Sequence, residues 1–116
     1  MVLNLSNIVI ATLFSLSSIS IINANVDIGK VKEGAKKEVV FKVKNNFKKD
    51  IRIYSVSSTC GCTIPNYPNT LKANKVTEIK AIFDSKDMKG KVKKELVLVI
   101  DDETKYYKLS FYAIVE

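Results

Sequence analysis

Beyond Asp27, apolar side chains recur at every second position in one segment after another, and no stretch keeps a helical period. Val39, Phe41 and Val43 share one side of the segment from Glu38 to Lys44, with Lys42 and Lys44 on the other. Ile51 and Ile53 share a face of the run 51–57, and Ile79, Ala81 and Phe83 share one in 76–83. Leu96, Leu98 and Ile100 oppose Val97 and Val99 in 91–100. Tyr107, Leu109, Phe111, Ala113 and Val115 line one face of 105–115. A period of two marks strands with one face in a core and one in water. The segments between them are turns: 29–34 carries two glycines, Asn45 to Asp50 reads as a polar hairpin loop, and 84–90 ends on Gly90. Residues 59–71 read as irregular, with both prolines. Strand runs at such regular spacing, about seven of them, predict an all-β sandwich.

The first 26 residues carry no charged side chain. Ile8 to Ile22 is an apolar, serine-rich run, too short and polar for a span of roughly 20 apolar residues. It has the outline of a secretory signal with cleavage near Ala24, although no Lys or Arg precedes it. The other reading is a retained arm that lies against a partner. From Ile22 the alternation of Ile22, Ala24, Val26 and Ile28 predicts a strand over 21–28. Residues 1–18 are therefore read as an apolar arm or signal/anchor segment, and 19–116 as the sandwich domain.

There is no His in the chain. The usual general base near neutral pH is missing, so Ser-His-Asp and Cys-His arrangements are excluded within it. Zinc sites built on His are excluded too, and two cysteines cannot close a structural tetrahedron. No enzyme is expected, and no cofactor. The net charge is +7, carried almost wholly by lysines spread from Lys30 to Lys108. Lysine protects sheet edges and solvates strands, and a basic surface also meets acidic partners. Arg52 is the one arginine, and arginine dominates specific phosphate and base recognition, so no specific nucleic-acid contact is expected.

Both cysteines lie in Cys60-Gly61-Cys62-Thr63. Several readings stand side by side. Free cysteines are usually buried, and Gly61 lets a strand end bend, so the pair can simply pack a sandwich corner. A disulfide between them closes a very small ring that ordinary disulfide geometry disfavours. Two thiolates suit a soft metal such as Cu(I), or half of a shared zinc site, with Met88 as a further soft donor. Pairing between chains is the remaining arrangement. Phe41, Phe83 and Phe111 are expected in the core. Tyr106 and Tyr107 face opposite ways, so one is exposed. Tyr67, between two turn segments, and the loop lysines Lys48 and Lys49 are the candidate interaction residues. The acidic turn Asp101-Asp102-Glu103 is read as solvated, with weak cation binding as the alternative.

A set of short matches then connects. Asp27-Ile28-Gly29 with Gly34, Phe41-Lys-Val-Lys-Asn45, Ser58-Thr-Cys60-Gly-Cys62-Thr63, Phe83-Asp84 and Gly90 resemble the bacterial immunoglobulin-like family of unknown function with a CGCT signature, related to sperm-protein and hydin-like sandwich domains. The resemblance covers about residues 24–115. It implies an immunoglobulin-like antiparallel β-sandwich of seven strands and no known catalytic activity. One departure is Ala73-Asn74 where such domains often have Pro-Gly; Asn tolerates left-handed backbone, so the turn survives.

The expected function is a non-catalytic structural or interaction module docking onto a larger protein assembly or cell-envelope partner. Two settings fit. One is an exported, extracytoplasmic protein in the periplasm or envelope, touching membrane only through residues 1–24. The other is a virion accessory protein, decorating a bacteriophage capsid or tail with its arm retained. A second alternative is an exported thiol-based metal-binding or redox protein. Oligomer formation is open to each.

Overall fold

The computed structural model describes residues 18–101 and 105–116. They form nine strands and no helix. The strands are β1 (Ile19–Ile21), β2 (Asn25–Val31), β3 (Lys36–Asn45), β4 (Ile51–Ser58), β5 (Thr63–Asn66), β6 (Thr70–Leu71), β7 (Val76–Asp84), β8 (Gly90–Ile100) and β9 (Lys105–Val115). A four-stranded sheet runs β1-β3-β7-β5 and a five-stranded sheet runs β2-β9-β8-β4-β6. The two make the expected all-β, immunoglobulin-like sandwich.

The long strands follow the alternation. Val39, Phe41, Val43, Ile79, Ala81 and Phe83 from one sheet meet Leu96, Leu98, Ile100, Leu109, Phe111, Ala113 and Val115 from the other, all buried. The three expected phenylalanines are at 0% exposure. The rings of Phe83 and Phe111 meet edge to face with centroids 5.2 Å apart, the arrangement that opposes ring edge to ring face. Asn74 takes φ 57° in the β6–β7 turn, as its local side-chain chemistry allows.

Four expectations need correction. The strand predicted over 21–28 is two strands in two sheets. β1 pairs antiparallel with β3 and β2 pairs parallel with β9, so the sandwich is not wholly antiparallel. Asn23 makes the crossing: its amide donates to the Val40 carbonyl (3.1 Å) and its Oδ1 accepts from Lys42 N–H (2.6 Å). Ile22 is left 56% exposed. Residues 46–50 are no hairpin loop, because β3 and β4 lie in different sheets. Asn45, fully buried, holds that crossover: its amide donates to the carbonyls of Lys49 and Leu71 (2.9 Å each) and its Oδ1 accepts from Phe47 N–H (2.8 Å). The segment 59–71 contains two short edge strands, β5 and β6, so nine strands replace about seven. Finally, the cysteines are joined to one another. Residues 1–17 of the apolar arm, and Asp102 and Glu103 of the acidic turn, lie outside the described residues.

Candidate functional site

Cys60, Gly61 and Cys62 form the corner between β4 in one sheet and β5 in the other. Three hydrogen bonds bend the chain there. Cys60 N–H donates to Ser58 Oγ (3.2 Å), Thr63 N–H to the Cys60 carbonyl (3.2 Å), and Asp84 N–H to the Cys62 carbonyl (2.8 Å). The bend brings the two cysteine Cα atoms to 5.2 Å, and the sulfurs are bonded. That separation lies inside the usual disulfide range of about 4.4–6.8 Å, so the corner meets the spacing that the small ring requires. Cys62 packs against the core while Gly61 is exposed. Cys62 N–H donates to Cys60 Sγ (3.2 Å), and Thr63 Oγ1 lies 3.7 Å from Cys62 Sγ. In the disulfide neither sulfur is a thiolate donor for a metal. Among the described residues no three His, Cys, Asp or Glu side chains gather as ligands. Met88, the proposed third donor, packs against the core from the β7–β8 turn.

The corner also shapes the sheet edge. Asp84 N–H on the Cys62 carbonyl sets the alternation of the β5–β7 ladder. The backbone groups of Ile64 and Asn66 face β7, and those of Thr63 and Pro65 face outward. Thr63 N–H is already held by Cys60, and Pro65 has none. The open edge of β5 therefore presents acceptors without donors, a poor template for strand addition.

The candidate interaction residues fall on separate connections. Lys48 and Lys49 are exposed on the β3–β4 crossover, and Tyr67 (37% exposed) lies between β5 and β6. A surface that the opposite parity of Tyr106 and Tyr107 marks only in part lies on the outer face of the five-stranded sheet. β9 turns Tyr106 (65% exposed), Tyr112 (38%) and Ile114 (40%) outward. The ladder sets Lys91 beside Ile114, Lys93 beside Tyr112 and Val99 beside Tyr106. Lys93 Nζ stands 5.7 Å from the Tyr112 ring centre, within cation–π reach. Asp27, Lys91, Val92, Lys93, Tyr112, Ala113 and Ile114 line an open depression of about 340 Å³. A second depression beside it, of about 350 Å³, is walled by Lys89, Lys91, Lys93 and Lys94 with Met88 and Val92. The signal was in the sequence: the positions of β9 opposite its core set are aromatic and aliphatic as well as polar.

Several solved structures share the fold. PapD-like domain 7 of human CEP192 matches with a TM-score of 0.70 at 10% identity, over 86% of each chain. A protein of unknown function from Porphyromonas gingivalis W83 matches with a TM-score of 0.68 at 11% identity, over 83% of this chain and 46% of that one. The YadV chaperone matches with a TM-score of 0.57 at 13% identity, over 84% and 52%. The chain thus spans about half the length of the last two, and at these identities the likeness is one of fold. No curated protein matches the chain significantly. The family described as protein of unknown function (DUF1573) matches over residues 19–115, and the chain belongs to that family.

Proposed function

We propose that this chain is a non-catalytic interaction module, docking onto a larger protein assembly through the outer face of its five-stranded sheet. The observation that carries the reading is the exposure of Tyr106, Tyr112 and Ile114 on one strand, with Lys93 and Lys91 of the neighbouring strand beside Tyr112 and Ile114. Tyrosine offers large contact area at low conformational cost, and aromatic residues are enriched where proteins meet. The lysine stems widen the apolar surface, and their ammonium groups favour a partner with an acidic rim. The donor-free edge of β5 disfavours strand addition at that edge. The absence of histidine removes the usual general base near neutral pH.

The test is photo-crosslinking in the native cell from a photoreactive residue placed at Tyr112, with the same residue at Lys44 on the opposite sheet as control. The reading expects a discrete adduct from position 112. It expects excess purified chain to suppress that adduct, and a Tyr112→Glu chain to fail to suppress it. Equal adducts from both positions, or equal suppression by the Tyr112→Glu chain, would overturn it.

A further inference from the structure

We propose that the Cys60–Cys62 disulfide is a reversible exchange site for a low-molecular-weight thiol, and not a staple of the fold. A bridge that stabilises a sandwich joins distant segments, so that it restrains the unfolded chain. This one joins residues two apart within a single connection. The corner it occupies is already held without it, by Thr63 N–H on the Cys60 carbonyl, Asp84 N–H on the Cys62 carbonyl and Cys60 N–H on Ser58 Oγ. None of the three uses a sulfur atom, so none depends directly on the S–S bond. Access is also provided. Both cysteines are partly exposed, Gly61 between them is exposed, and a methyl group added at Gly61 would meet nothing within 4 Å.

The surroundings assign the two sulfurs different parts. Cys62 N–H points at Cys60 Sγ from 3.2 Å, and a hydrogen bond to a thiolate favours the charged form. Cys60 is therefore the leaving sulfur. A thiolate RS⁻ attacks Cys62 Sγ, the S–S bond breaks, and its electron pair departs on Cys60 Sγ. A second RS⁻ attacks the RS sulfur of the mixed disulfide, forming RSSR and releasing Cys62 as thiolate, with Thr63 Oγ1 at 3.7 Å as a hydroxyl neighbour. The protons of the two thiols end on Cys60 and Cys62. The protein gains two electrons, and two RSH become RSSR. The reverse sequence oxidises the protein. The proposal is independent of the docking face, which lies on the outer surface of β8 and β9.

The full chain is equilibrated in a series of reduced and oxidised glutathione mixtures, quenched in acid, alkylated and weighed, with circular dichroism on the same samples. The proposal expects two alkylatable thiols to appear and disappear reversibly, with a midpoint inside the glutathione range and the strand spectrum unchanged. Early quenching is expected to find glutathione on Cys62 in excess over Cys60. The Cys60→Ser, Cys62→Ser double variant is expected to give the spectrum of the reduced chain. Three results would overturn it. The disulfide persists across the whole series; oxidised glutathione never closes it; or reduction, like the double variant, abolishes the strand spectrum.

Discussion

Removing the Asn45 side chain should cost this sandwich a large part of its stability, although Asn45 is neither apolar nor part of the proposed surface. It is 0% exposed and serves three backbone groups. In Asn45→Ala the buried Leu71 carbonyl loses one of its two donors and keeps the ladder bond from Ile51 N–H, at about 1 kcal/mol. The Lys49 carbonyl and Phe47 N–H lie nearer solvent, so water replaces part of what they lose, at about 0.5 kcal/mol each. The total is about 2 kcal/mol, against a typical domain stability of about 5–15 kcal/mol. For a chain of this size that lowers Tm by about 8–10 °C. Asn45→Asp sharpens the test, because it keeps the shape and turns the donor into an oxygen facing two carbonyls. A carboxyl there is protonated more readily in the folded chain than in the unfolded one, where an aspartate titrates near about 3.9. With the folded value raised, the Asn45→Asp variant is closest to wild type at low pH. It falls further behind as pH rises through that folded value. Urea melts of wild type and both variants, followed by circular dichroism at pH 4 and pH 7, measure all of this. A loss below about 0.5 kcal/mol for Asn45→Ala, or an Asn45→Asp deficit that does not grow with pH, would refute the assignment of Asn45 as the clamp of the crossover.

Three further outcomes follow from the packing. Phe83→Leu and Phe111→Leu, made singly and together, should show a coupling of about 0.5–1.5 kcal/mol in a denaturation cycle, since the rings meet edge to face; additive losses would deny the ring contact. Gly90→Ala should lose about 1–2 kcal/mol, because φ is +83° there, while Gly61→Ala should leave the melting curve nearly unchanged, having open space and no left-handed φ. Pro65→Thr restores an N–H to the open edge of β5, and sedimentation should then detect concentration-dependent association that the wild type lacks at the same concentrations; identical sedimentation would mean the missing donor does not guard that edge.

Alternation made β3, β7, β8 and β9 legible with their core faces, because a period of two states which side chains point inward. It says nothing about which strand lies alongside. Hence the parallel pairing of β2 with β9, the change of sheet at Asn23 and the crossover at Asn45 were hidden, each depending on a polar side chain or backbone group reaching partners distant in sequence. β5 and β6 were hidden because four and two residues are too short to show a period. The cysteine pair was legible as a corner. Its bond was not, because ring size alone leaves out the bend that the Cys60 carbonyl and β7 create together. The proposed docking face was half legible: the opposite parity of Tyr106 and Tyr107 shows that one ring is exposed. Tyr112 and Ile114 follow the parity of Tyr106, but their significance needed the lysines that β8 sets beside them.

The most direct measurement is tyrosine labelling of this chain in the assembly proposed for it, captured from the native cell, compared with the purified chain, by limited nitration and peptide mass. Tyr112 and Tyr67 are 38% and 37% exposed, so the free chain offers a matched pair on different surfaces. Docking through the five-stranded sheet predicts that Tyr112 and Tyr106 are protected in the assembly while Tyr67 labels as in the free chain. Equal labelling of Tyr112 and Tyr67 in the assembly, or protection of Tyr67 alone, would contradict it.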